Sequence, residues 1–109
     1  MIIAEIGSVH DGSIGNAKKL IEVAKESGAS FVKFQMHYAK EETLKDALSP
    51  SYFSDEKRFE YFNRTSFSIN QWKSLIQYSK LKKIDFMCSV FSLKAFEVLL
   101  KLKVKNIKI

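Results

Sequence analysis

The 109 residues suffice for one small domain with a single core. With 46% apolar and 28% charged residues, the composition is that of a globular protein in water, and no run of about 18 apolar residues offers a membrane span. The net charge of +6 comes mostly from Lys80, Lys82, Lys83 and the Lys101, Lys103, Lys105 series; without interleaved aromatics this reads as a solvated face and not as a nucleic-acid surface. Cys88 is the only cysteine, which excludes an internal disulfide and fits a reducing cytoplasm. The N-terminus carries neither the basic segment nor the long apolar run of a secretory signal.

Ile2–Ile6 reads as a strand, with Ile2, Ala4 and Ile6 on one face and Ile3 and Glu5 on the other. A glycine-containing loop, Gly7–Gly15, holds His10 and Asp11. The spacing of Ala17, Leu20, Val23 and Ala24 predicts a helix over about 16–27, with Asn16 as N-cap and Gly28 just past its end. Phe31–Met36, rich in aromatic and β-branched residues, is the next strand. Strand, helix and strand with short connections form a βαβ unit, expected to be right-handed. The segment 37–65 reads as a long irregular stretch containing Pro50, with a short helix at Glu56–Phe62. Ser68 followed by Gln71 predicts a capping box opening a helix to about Lys82, burying Trp72, Leu75, Ile76 and Leu81. Asp85–Val90 is a third strand. Ser92 caps a third helix, Leu93–Leu102, with Ala95, Phe96, Leu99 and Leu100 apolar, and Asn106–Ile109 begins a fourth strand.

This order predicts an α/β fold with a parallel sheet covered by helices. A closed eight-stranded barrel takes about 250 residues. Four strands and three main helices amount to the first half of one, so the chain is expected to be a fragment or a truncated product.

The polar residues on these strands share a face. Val32, Phe34 and Met36 make one side of the second strand apolar, while Lys33 and Gln35 lie on the other with Phe31. Burying an unpaired ammonium is costly, so Lys33 needs a reason. Glu5, Ser89 and Lys108 obey the same parity, each near the C-terminal end of its strand, where parallel α/β folds build sites. Two lysines against one carboxylate leave a positive site for a small, multiply charged anion; Ser89 adds a hydroxyl, and Gln35 a donor and an acceptor. On parity alone, an open sheet with one wetted face also accounts for them. His10 and His37 have no evident third metal ligand and read as structural or exposed. Cys88 falls on the apolar side as packing, and Phe59, Tyr61 and Phe62 form a local hydrophobic patch.

The segments Ile2-Ile3-Ala4-Glu5-Ile6-Gly7, His10 with Gly12, and Ala29-Ser30-Phe31-Val32-Lys33-Phe34-Gln35 resemble the N-terminal half-barrel of the NeuB-type sialic acid synthase family. Phe86-Met87-Cys88-Ser89-Val90-Phe91 is similar to its Ser-Thr-Pro-Phe stretch, and Asn106-Ile107-Lys108-Ile109 to the start of its Lys-Ile-Ala-Ser strand. Each motif alone is weakly specific; four in order and spacing are stronger, and they cover essentially the whole chain.

The resemblance implies a TIM barrel that condenses phosphoenolpyruvate with an open-chain N-acyl sugar aldehyde to a nonulosonic acid, releasing phosphate. It implies a divalent metal, manganese or magnesium, with ligands on later strands outside this chain, a C-terminal antifreeze-like domain that is absent here, and a homodimeric full-length protein without nucleic-acid or membrane partners. By position, Lys33, Ser89 and Lys108 resemble phosphoenolpyruvate-binding residues, and Glu5 and Gln35 residues on the side of the acylated amino sugar; Glu5, Lys33 and Lys108 are the catalytic candidates. The family's Asn-His-Asn-Gly loop is Val9-His10-Asp11-Gly12 here, its third-strand proline is Val90, the aspartate after the phenylalanine is Ser92, and Ser89 stands for a threonine. These departures point to a divergent subgroup acting on another acylated sugar. This chain alone is expected to be inactive. The alternatives are a non-catalytic truncated relative acting as a binding or interaction module, and another phosphoenolpyruvate-condensing barrel of the deoxy-sugar-acid type.

Overall fold

Side-chain alternation along each strand sets the layers of this structure, a computed structural model that describes residues 1–42 and 57–109. In chain order the elements are strand β1 (Ile3–Gly7), helix α1 (Ile14–Glu26), strand β2 (Phe31–Met36), the short helices α2 (Ala39–Glu42) and α3 (Arg58–Arg64), helix α4 (Ile69–Leu81), strand β3 (Asp85–Val90), helix α5 (Leu93–Lys101) and strand β4 (Asn106–Lys108). The four strands form one sheet in the order β1-β2-β3-β4, every pair parallel. This is the expected α/β half-barrel arrangement. No helix among the described residues is long and apolar enough to cross a membrane.

The helices cover the apolar face. Val32, Phe34 and Met36 are buried at alternate positions of β2, and Cys88 lies beside Phe34 in register. Ala17, Ile21 and Ala24 of α1, Trp72 and Leu75 of α4, and Ala95 and Leu99 of α5 close over them. Phe34 meets Trp72 edge-on at 6.0 Å and stacks on Phe86 at 5.5 Å. Burial pushes the Cys88 thiol far up, so this cysteine packs and stays protonated.

The helix termini depart from the expected positions in instructive ways. The cap of α1 is Ser13, not Asn16: Ser13 Oγ accepts the Asn16 N–H at 3.1 Å, and the helix starts at Ile14 despite Gly15. Its buried stripe is accordingly Ala17, Ile21 and Ala24, leaving Val23 exposed. The Ser68–Gln71 capping box forms with both of its hydrogen bonds, at 3.2 and 2.8 Å. Within α4, Leu81 is 74% exposed, and the buried position on that turn belongs to Ser79, whose hydroxyl donates to the Leu75 carbonyl. Leu100 of α5 is also exposed. The supposed irregular stretch after β2 contains α2 and α3; Pro50, and Glu56 at the start of the expected short helix, lie outside the described residues.

All three main helices end in the same way. Gly28, Lys83 and Lys103 take left-handed backbone conformations at φ +87°, +58° and +60°. The next residue, Ala29, Ile84 or Val104, is buried, and its N–H returns to the carbonyl of Ala24, Ser79 or Leu99. This is the Schellman closure, in which an apolar residue seals the helix end against the core. Only Gly28 announces itself by residue type. The two lysines carry a Cβ in a conformation that disfavours one.

One histidine belongs to the packing. His10, in the loop after β1, is buried with its ring 4.3 Å from that of Phe67 and 6.1 Å from that of Phe34. Its Nδ1 accepts the Gly12 N–H at 3.0 Å, so in the neutral ring Nε2 carries the hydrogen. Burial lowers its pKa from 6.5 to about 4, outweighing the opposing pull of the Asp11 carboxylate.

Ser68→Ala should destabilise the chain by about 1 kcal/mol through loss of the cap, and Lys83→Gly should stabilise it by about 0.5–1 kcal/mol by relieving the left-handed residue; urea-unfolding midpoints measure both. As pH falls from 6.5 towards 4, the unfolded chain takes up the His10 proton before the folded chain does, so His10 makes stability decline over that window. His10→Gln, which keeps an acceptor for Gly12, should show a shallower decline than wild type in parallel urea titrations.

Candidate functional site

The face opposite the helices gathers the polar residues that parity singles out. The registers align Glu5 with Lys33, Lys33 with Met87 and Met87 with Asn106; one step further along, Gln35 aligns with Ser89 and Ser89 with Lys108. Paired residues of a sheet point to the same side. Glu5, Lys33, Gln35, Ser89 and Lys108 therefore share one face, towards the C-terminal ends of their strands.

A bulge positions the first of these strands. The pairing of β1 with β2 shifts between Glu5 and Gly7, so that Gly7 falls opposite Phe34. Gly7 has a left-handed backbone at φ +56°, and a Cβ there would come within 3.4 Å of Gln35 Nε2. Glycine thus turns the strand into its loop while leaving room for the glutamine side chain.

Glu5 is the centre of a short polar network. Its Oε2 is 3.2 Å from Lys33 Nζ, and its Oε1 accepts a hydrogen bond of 3.2 Å from Gln35 Nε2. The lysine side chain is 16% exposed and the glutamate 46%, so water screens this pair and it adds at most about 1 kcal/mol to stability. Its consequence is positional, because it holds a partly buried ammonium at a fixed place on the sheet. Lys33 thus has a carboxylate partner within the chain, in addition to any bound anion.

Ser89 is buried and Lys108 exposed, in adjacent strands at the same level. Lys33 and Lys108 lie two strands and two residues apart, which standard strand spacing translates into about 12 Å between their Cα atoms. Two extended lysine side chains are long enough to span that separation. The structure brings Glu5, Lys33 and Gln35 into direct contact and places Ser89 and Lys108 on the same face beside them.

Reading by strand parity passed over His37, which comes directly after β2. Its Nε2 lies 3.0 Å from Gln35 Oε1 and its Nδ1 2.7 Å from Glu42 Oε1, so the network extends from Lys33 through Glu5 and Gln35 to His37 and Glu42. The Gln35-to-His37 spacing of two would place both on one strand face, but Glu42 is reached only through the turn into α2. Phe62, expected in a local patch, meets Tyr61 edge-on at 5.2 Å and also stacks on His37 at 3.8 Å. Among the described residues no group of three or more His, Cys, Asp or Glu side chains is placed to hold a metal ion. These residues do not by themselves fit the divalent cation that the family resemblance implies.

The NeuB family matches residues 20–109. Over its full length the chain is 36% identical to the N,N'-diacetyllegionaminic acid synthase of Campylobacter jejuni, covering 34% of that protein. It is 37% identical to the N-acetylneuraminate-9-phosphate synthase of Drosophila melanogaster over 99% of the chain and 30% of the relative. Among solved structures, the N-acetylneuraminic acid synthetase of Leptospira borgpetersenii superposes with a TM-score of 0.77 at 25% identity, over 99% of this chain and 35% of that one. The chain thus spans about a third of the length of the curated relatives it matches. The match over residues 20–109 and the full-length similarity to these synthases establish that the chain belongs to the NeuB family.

Proposed function

We propose that this sheet carries the first half of the site of a nonulosonic acid synthase, in which Lys33, Ser89 and Lys108 bind phosphoenolpyruvate while Glu5 and Gln35 face the N-acyl sugar aldehyde. The observation that carries this reading is the shared face: two ammonium groups and a hydroxyl at the strand ends, with the only carboxylate of the five already engaged by Lys33 and Gln35. The names of the relatives support the product class, since they include synthases of legionaminic, pseudaminic and N-acetylneuraminic acid derivatives.

The chemistry matches the residues. Phosphoenolpyruvate presents a carboxylate and a phosphate some 5 Å apart, each able to meet a lysine ammonium as a point charge. Held in this way, its nucleophilic methylene is presented to an aldehyde carbon on the Glu5 and Gln35 side. The Gln35 amide supplies a donor, and the Glu5 carboxylate an acceptor, for hydroxyl and acylamino groups of the sugar. Carbon–carbon bond formation leaves positive charge on the former enol carbon; water adds there and phosphate departs. In this reading the 109-residue chain by itself binds the anion without turning it over.

The test is titration of the chain with phosphoenolpyruvate at low ionic strength, followed by the backbone amide signals of Gln35 and Ser89. Lys33→Ala and Lys108→Ala should each weaken binding at least about tenfold, the worth of one charge-assisted contact. Lys101→Ala, at the far end of α5, serves as the control for general charge loss. Binding by Lys33→Ala equal to that of wild type overturns the assignment. Release of phosphate by the 109-residue chain, when supplied with an N-acyl amino sugar and manganese, overturns the statement that it does not turn over.

A further inference from the structure

His37 is built into the site more firmly than an incidental neighbour would be. Its ring is sandwiched between Phe62, at 3.8 Å and 18° between planes, and Phe91, at 4.3 Å and 11°. Only 7% of the residue is exposed. Its backbone carbonyl accepts the Ser66 hydroxyl at 3.2 Å. Glu42, which faces Nδ1, is also buried in its side chain, and its second oxygen accepts the Tyr38 N–H at 2.8 Å. The ring is thus held on both faces and at both nitrogens.

The hydrogens of this chain can be assigned by elimination. A carboxylate oxygen only accepts, so the atom that Gln35 turns towards Glu5 is its amide nitrogen, and its carbonyl oxygen faces His37. His37 Nε2 must then carry a hydrogen and donate it. At the other nitrogen, Nδ1 and Glu42 Oε1 lie 2.7 Å apart, a separation that requires a hydrogen between them. The links from His37 through Gln35 to Glu5 therefore have a defined direction, and Glu42 anchors the other ring nitrogen. Glu5 holds the Gln35 amide by its nitrogen, and His37 holds it by its oxygen, so that turning the amide over would break both contacts.

We propose that His37, clamped between Phe62 and Phe91 and anchored on Glu42, is a positioning residue that, together with Glu5, locks the Gln35 amide with its nitrogen towards the site and thereby makes Gln35 an obligatory donor. Among the described residues Gln35 Nε2 makes one hydrogen bond, to Glu5, and its second hydrogen remains for a ligand. The chemistry selected is an acceptor oxygen, a hydroxyl or acyl carbonyl of the sugar substrate. This inference rests on the reading of Gln35 as facing that substrate, but the lock itself is a property of the ligand-free protein.

The test uses the ligand-free, 15N-labelled chain, so that failure of phosphoenolpyruvate binding and failure of the lock are separate results. In wild type the Gln35 side-chain NH2 should give two well-separated, slowly exchanging proton signals, and the His37 Nε2–H should be visible. His37→Phe keeps an aromatic ring between Phe62 and Phe91 but removes both ring nitrogens; the Gln35 pair, then held by Glu5 alone, should move towards the positions of a freely turning amide. His37→Gln, which returns a donor near Nε2, should restore the wild-type pair in part. Glu42→Gln, nearly isosteric, should shift the His37 ring signals and the Gln35 pair together, and it decides the matter if His37→Phe does not fold. Gln35 signals that stay unchanged in a folded His37→Phe, or that stay fixed in Glu42→Gln, overturn the proposal.

Discussion

Burial of Val32, Phe34 and Met36 beneath the helices is the constraint on which the rest of the molecule depends. A strand alternates its side chains, so placing these three in the core puts Lys33 and Gln35 on the opposite face without freedom to choose otherwise. A slip of one residue would put Lys33 in the place of Phe34, beside Trp72 and Phe86, at a desolvation cost comparable to the net stability of a domain of this size. Hydrophobic packing on one side of the sheet is therefore what aims the charged groups on the other. The parallel registers extend the same alternation to Glu5, Ser89 and Lys108.

The two faces consequently do different jobs. On the helix side, Trp72, Phe67, Phe86 and Phe34 meet at angles and distances typical of aromatic cores; Ser79 is tied to a carbonyl within its helix, and His10 accepts a backbone N–H at Nδ1 while its buried Nε2 has no hydrogen-bond partner among the described residues. On the site side, the polar groups are bonded to one another in a row, and the row is left open at the Lys33 end, where Glu5 meets solvent. A row of this kind keeps its donors and acceptors in fixed directions before any ligand arrives, and that saves reorganisation when one binds.

Much of the fold was legible because the local rules agreed with each other. The Ser68–Gln71 box, the Ser92 cap and the alternation in Phe31–Met36 each gave an element whose structure matches. Helix faces were less legible. Val23, Leu81 and Leu100 looked apolar at helical spacing, yet they turn to the surface because the neighbouring turns present Ile21, Ser79 and Leu99 to the sheet. The left-handed Lys83 and Lys103 were invisible as helix ends, since what terminates those helices is the pull of Ile84 and Val104 into the core.

The same division runs through the site. By itself the sequence determined which residues share the polar face, because a period of two follows from backbone geometry alone and needs no neighbour to impose it. It therefore named Glu5, Lys33, Gln35, Ser89 and Lys108. Tertiary structure alone decided which of them touch, and that His37 belongs with them. His37 is joined to the site by Glu42, Phe62 and Phe91, which approach it from α2, from α3 and from the end of β3. Such a meeting of separate segments is set by how the chain returns on itself, and no local period records it.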